Sequence, residues 1–225
     1  MKKYLLLPSI FGLFFVFFTT SFSSFSQNSY EFGLPLPIET IAVLTVSPSN
    51  YGIYESPNGP QLSYEFTDKG MFIHTINIQA ISRETIRESS QYSVRNEHIF
   101  GVTEDSIPCV LQDDNYYFGV RNKVQVAGEG NANQLLPNGV GSYVLNFKTD
   151  SGYIPTLLEF KTNQLWISHF DYDEEGKLFK KIKEQQVITG NSNGLTNIIL
   201  LPTLKEWQKI SKKELFGEIQ IFNKK

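Results

Sequence analysis

Along most of the chain, short apolar runs alternate with clusters of Gly, Asn, Asp and Pro, and within the runs the hydrophobic period is two. Phe72, His74, Ile76, Ile78 and Ala80 share one parity against polar Asn77 and Gln79, and Tyr143, Leu145 and Phe147 share one against Asn146 and Lys148. That is the pattern of half-buried strands. Leu157-Leu158, Leu165-Trp166-Ile167 and Ile198 to Leu201 are apolar at both parities, which predicts strands covered on both faces. The turn clusters are Ser56-Pro57-Asn58-Gly59-Pro60, Asp68-Lys69-Gly70, Arg95-Asn96-Glu97, Asp113-Asp114-Asn115, Pro137-Asn138-Gly139, Asp150-Ser151-Gly152, Thr162-Asn163 and Asp173 to Gly176. Their spacing and their tolerance of positive φ predict hairpins. The fold class expected is mainly β: an antiparallel meander of about nine to eleven strands over residues 40–222, as an up-and-down barrel or a two-layer sandwich.

Residues 27–50 form a Pro-punctuated lead-in (Pro35, Pro37, Pro48) with one expected strand, Thr40 to Val46. Residues 51–225 are expected to make a single β-rich domain. One C-terminal α-helix is expected over 203–215, packed on the sheet. Thr203-Leu204-Lys205-Glu206 has the capping-box pattern, and Leu204, Trp207 and Ile210 make an apolar stripe. Glu218 to Phe222 reads as a closing strand. Residues 79–91 fit a polar, twisted strand better than a short helix.

The N-terminus changes the compartment. Met1-Lys2-Lys3, the apolar run Tyr4 to Phe18 and Ser24-Phe25-Ser26 before Gln27 have the layout of a signal peptide cleaved after residue 26. The run is broken by Pro8, Ser9 and Gly12, too short for a spanning helix, and no transmembrane segment is expected after cleavage. Ser26-Gln27 stands where a lipoprotein would carry its cysteine. The expected location is the periplasm or the extracellular space, without a lipid anchor.

Charge and cysteine content narrow the classes further. The formal net charge of −3 becomes −5 once Lys2 and Lys3 are removed, which speaks against a nucleic-acid partner. Residues 180–225 carry nine Lys and four Glu, the composition of a solvated face. Cys109 is the only cysteine, so no intrachain disulfide forms and the core holds the fold unaided.

Candidate chemistry is thin. Asp171-Tyr-Asp173-Glu-Glu175-Gly176 matches the first half of a calcium loop, but Ile182 occupies the place of its last ligand, so a hairpin turn is expected. Cys109, in Pro108-Cys109-Val110-Leu111, reads as a small buried hydrophobe rather than a nucleophile. His74, His98 and His169 lack metal-ligand spacing. His169 is expected at the surface. His74 shares the parity of Phe72, Ile76 and Ile78, where a pocket-lining group would sit, and it is the candidate ligand-binding residue. Gly128-Glu-Gly130-Asn131 lacks the strand-to-helix context of a phosphate loop. No catalytic residue, metal or cofactor is predicted.

Strands followed by one late helix, together with Gly52-Ile53-Tyr54, resemble the lipocalin and calycin outline, whose early motif is Gly-x-Trp; here Tyr stands for Trp. The function expected from all of this is a non-enzymatic exported β-scaffold that binds a small apolar ligand, a glycan or an envelope protein. The alternative is an exported hydrolase whose acidic or His site is assembled only in three dimensions.

Overall fold

The computed structural model describes residues 28–171, 179–189, 196–211 and 215–225. Residues 1–26, with the signal-peptide layout, and most of the expected turn at Asp171–Gly176 lie outside these residues. The fold is mainly β, one large mixed sheet. In chain order the strands are β1 (Asn28–Phe32), β2 (Gly52–Glu55), β3 (Leu62–Thr67), β4 (Gly70–Ser82), β5 (Ser93–Arg95), β6 (His98–Phe100), β7 (Ile107–Gln112) and β8 (Asn115–Gly128). They continue with β9 (Gln134–Pro137), β10 (Ser142–Lys148), β11 (Tyr153–Lys161), β12 (Gln164–Phe170), β13 (Gln185–Thr189), β14 (Thr196–Leu200) and β15 (Phe216–Lys224). Two short α-helices, α1 (Arg83–Glu88) and α2 (Leu204–Ile210), complete the fold.

The turn chemistry builds the hairpins as expected. Asp113 and Asp114 take φ of 46° and 62° between β7 and β8, and Asn96 and Glu97 take 49° and 60° between β5 and β6. Both are two-residue turns whose central residues must adopt the left-handed region. At the β3–β4 turn Gly70 has φ +132°, and a Cβ there would lie 2.0 Å from the Ala127 carbonyl oxygen, so the close approach of β8 demands glycine.

The order of strands departs from a simple meander. The run β9-β10-β11-β12-β15-β2-β3-β4-β8 places the C-terminal strand between β12 and β2. It rolls up: Leu135 and Leu145 from one end share a core with Met71, Val126 and Ala127 from the other. Side chains join the two ends, since Asn133 Nδ2 donates to Val126 O at 2.9 Å and Asn133 Oδ1 accepts from Lys148 N at 2.8 Å. Edge-to-face rings fill this interior, with Phe160 5.1 Å from Phe66 and 5.6 Å from Tyr54, and Tyr64 4.8 Å from Phe222. Such pairs add about 0.5–1.5 kcal/mol each beyond area burial.

At β11 the sheet forks. Tyr153 pairs with Phe32 of β1, while Thr156 to Lys161 pair with β12. The β1 branch is a parallel pair with β14, from Asn28↔Thr196 to Phe32↔Leu200. This branch and α2 enclose a second core against the outside of β10 and β11, containing Phe32, Val144, Phe170, Leu200, Trp207 and Ile210. Leu157 and Leu158 turn to one core each, as expected of a strand covered on both faces, whereas on β14 Ile198 and Leu200 join the second core and Ile199 is buried outside both.

Several expectations need correction. The lead-in strand is Asn28–Phe32, whereas Thr40 to Val46 makes a single bridge, Val43↔Leu135. Thr45 Oγ1 donates to Thr67 O and Val46 is buried, so side chains rather than a ladder hold that segment. Residues 83–88 are helical, because Ser82 caps them by accepting from Thr85 N at 3.1 Å. The C-terminal helix stops at Ile210, and buried Leu215 stands outside it, leading into β15. Asn146, expected to face outward, is wholly buried against Leu36 of the second core. Among the described residues β2 to β15 make fourteen strands, where about nine to eleven were expected over residues 40–222.

Candidate functional site

β4 and β8, 13 and 14 residues long, are the longest strands and pair along their whole length, from Gly70↔Gly128 to Ser82↔Asn115. Only their first part belongs to the rolled sheet. Beyond Thr75 they continue as a ribbon that carries β5, β6, β7 and α1 at its far end. A third core of Ile99, Cys109 and Phe118, with Ile81, Ile86 and Tyr116 against it, lies on one face of the ribbon.

The other face of the ribbon is bare. β4 keeps one parity along its length, with Met71 and Ile73 turned into the interior, and the β-bulge opposite Met71 and Phe72 takes up its extra residue, Val126, on β8. The outward set is therefore Phe72, His74, Ile76, Ile78 and Ala80, opposite to the side that their apolar character predicts. Cross-strand partners on the same face are Lys123 for His74, Arg121 for Ile76, Gly119 for Ile78 and Tyr117 for Ala80, and Val110 pairs with Tyr117. Ile78 is 67% exposed, Val110 68% and Tyr117 37%. Gly119 lets Ile76 lie flat, because a Cβ there would meet Ile76 Cγ2 at 2.7 Å.

At the rolled-sheet end of this face three charged or titratable groups converge. Glu65 Oε2 lies 2.6 Å from His74 Nε2 and 2.6 Å from Lys123 Nζ, and the Lys123 ammonium sits 4.3 Å above the Phe72 ring. Burial pushes the Glu65 carboxyl up, but the hydrogen bonds and charges of Lys123 and His74 outweigh it and hold the pKa below the ordinary glutamate value. The sequence offered half of this cluster. A two-residue turn at Asp68-Lys69 fixes the β3–β4 register, which puts Glu65 diagonal to His74 on one face. Lys123 arrives from β8, more than forty residues away, and no local signal announces it.

The remaining candidates fall elsewhere. Cys109 is buried in the third core, and burial followed by the Glu97 charge raises its thiol pKa. His98 stands across from Pro108 on β6, its Nδ1 2.9 Å from Asn96 O. His169, expected at the surface, instead lines a void inside the rolled sheet with Tyr64, Met71, Phe147, Thr156 and Ile167. Its Nδ1 is 3.2 Å from Thr156 Oγ1, and burial lowers its pKa. Burial also pushes the Tyr64 phenol well above its ordinary range. The void measures about 10 Å³, no more than one water needs. Asn131 and Asn133 of the Gly128–Asn133 stretch spend their side chains on the β8–β9 connection.

Among the described residues no group of three His, Cys, Asp or Glu could hold a metal ion, and no helix is long and apolar enough to cross a membrane. No family model, no curated protein and no solved structure matches the chain. The likeness of Gly52-Ile53-Tyr54 to the lipocalin motif stays a likeness of three residues. Tyr54 is nonetheless a core residue, with its hydroxyl donating to Asn50 O at 3.0 Å.

Proposed function

We propose that this chain is an exported, non-enzymatic β-scaffold that binds an envelope protein through the bare face of the β4–β8 ribbon. One observation carries the reading. Exposed apolar side chains from three neighbouring strands lie together on the outside of the ribbon, at Ile78, Val110 and Tyr117, while the interior is packed with rings around a void of about 10 Å³. A contiguous exposed apolar face, as distinct from scattered single residues, is the ordinary mark of a protein contact. A void of that size favours the outer face over an interior site for a small apolar ligand or a glycan. The hydrolase alternative draws on the Glu65–His74 pair, since a carboxylate orients an imidazole for general-base work. That pair lies on an open sheet face and shares its carboxylate with Lys123, so it fits the rim of a binding surface better than a catalytic cleft.

Two measurements test this. Intact mass of the protein from the envelope fraction is expected to show loss of residues 1–26, and full-length protein in the cytoplasm would remove the export half. A photo-crosslinking amino acid at position 78 is expected to yield a protein adduct in cells, and the same probe at the fully exposed Val140 is expected to yield none. Equal labelling from both positions would sink the binding half.

A further inference from the structure

The ribbon face is self-complementary, and we infer that its occupant is a second copy of this chain, related by a two-fold axis through the centre of the ribbon. This rests on the proposed binding role of the same face. The bare face spans three strands: Ile76, Ile78 and Ala80 on β4, Gly119 and Tyr117 on β8, and Val110 on β7. It is apolar across the middle, with Gly119 beside its centre.

Its two ends carry opposite charge. On the rolled-sheet side stands Arg121, exposed and without an ion-pair partner among the described residues, because the neighbouring Lys123 is already committed to Glu65. On the far side stands the Asp113-Asp114 turn, in a lobe, residues 83–114, that holds three Arg against seven Asp and Glu, a net of −4. Asp113 has no ion-pair partner among the described residues, and Asp114 has only Arg83 at 3.9 Å.

An isologous contact requires that each group meet its complement at the same distance on the other side of the axis. On β8 the midpoint between Arg121 and Asp114 falls between Tyr117 and Phe118, level with the apolar centre of the face. Seven strand positions separate the two, roughly 23 Å. A two-fold axis at that midpoint stacks Ile78, Tyr117 and Val110 of the two copies and sets each Arg121 over the acidic turn of the other. A heterologous protein would have to reproduce both features independently.

The test uses the mature chain alone in sedimentation velocity over a range of concentrations. A concentration-dependent dimer is expected, and Ile78→Asp abolishes it while the melting temperature stays within a degree or two, since Ile78 is 67% exposed. Arg121→Gln and the pair Asp113→Asn with Asp114→Asn each weaken the dimer roughly three- to tenfold, and combining all three costs little more than either change alone. Asn is kept at the turn because it accepts the positive φ there. A monomer at every concentration, or charge changes that multiply independently, overturns the inference. A monomeric purified chain that still forms the position-78 adduct with a different protein in cells leaves the binding face standing and removes the second copy. Neither dimer nor adduct removes both.

Discussion

The side-chain amide of Asn146 takes up both backbone groups of Leu36: Oδ1 accepts from Leu36 N at 2.8 Å and Nδ2 donates to Leu36 O at 2.7 Å. The contact joins the lead-in to β10 in a place where neither partner reaches water, so the amide stands in for a missing strand. Asn146→Leu keeps the branched heavy-atom shape but strands a buried N–H and a buried C=O, each costing about 1–3 kcal/mol. A loss of about 2–5 kcal/mol in chemical denaturation is expected. Exposed Asn77→Ala, the control, is expected to stay within about 0.5 kcal/mol.

Trp207 anchors α2 to the second core, with Ile210 one turn on and Leu204 one turn back. Trp207→Ala leaves a large cavity beneath the helix and is expected to cost roughly 3–5 kcal/mol. Lys209→Ala, on the exposed side, is expected to cost no more than about 0.5 kcal/mol. A Trp207→Ala protein that melts like the parent would show that the helix contributes nothing to the fold.

What the sequence disclosed and what it withheld divide along physical lines. Hairpin turns and the α2 cap were legible because both are local: Asn96-Glu97 and Asp113-Asp114 carry their φ preference with them, and Thr203 and Glu206 close a capping box over four residues. The parallel β1–β14 pair and the insertion of β15 between β12 and β2 depend on contacts across more than 150 residues, which no periodicity encodes. The parity of β4 misled for another reason. An apolar stripe normally marks the core, and at Ile76 and Ile78 it marks a bare face, the situation expected where a second surface completes the burial. His74 shares the parity of that stripe and so lies on the bare face, beside Lys123, a partner that no local signal announces.

Glu65 gives the fold a pH dependence. Its folded-state pKa is depressed, since hydrogen bonds and charges from Lys123 and His74 outweigh the effect of burial. A depressed carboxylate contributes stability that is present above the unfolded value, here 4.5, and is lost as the pH falls through the folded value. Glu65→Gln is expected to lower the melting temperature near neutral pH, with the gap to the parent closing as the pH falls through the depressed folded value. A gap that widens in acid would contradict the assignment.

Cys109 is packed against Ile99 and Phe118 with its thiol pKa raised, first by burial and then by Glu97, so the thiolate is scarce at neutral pH. A thiol reagent is expected to label the folded protein at the rate of unfolding and the denatured protein at once. Fast labelling of the native state would place the sulfur at an accessible site and reopen a catalytic role.

Gly70 and Gly139 separate two reasons for a glycine. Both hold φ in the region that L-residues avoid, +132° and +111°. They differ in surroundings: a Cβ at Gly139 meets nothing within 4 Å, whereas one at Gly70 lies 2.0 Å from the Ala127 carbonyl oxygen on β8. Gly139→Ala therefore costs only the backbone strain, about 1–3 kcal/mol. Gly70→Ala adds a collision with backbone that cannot yield without pushing β8 from β4, and overpacking of this kind costs a further 1–3 kcal/mol or so. Because the β4–β8 register holds both the Glu65 cluster and the ribbon face, Gly70→Ala is expected to weaken the dimer as well as the fold, and Gly139→Ala the fold alone. Equal destabilisation by the two changes, measured by urea titration of the purified proteins, would mean that β8 approaches the turn less closely than the structure has it.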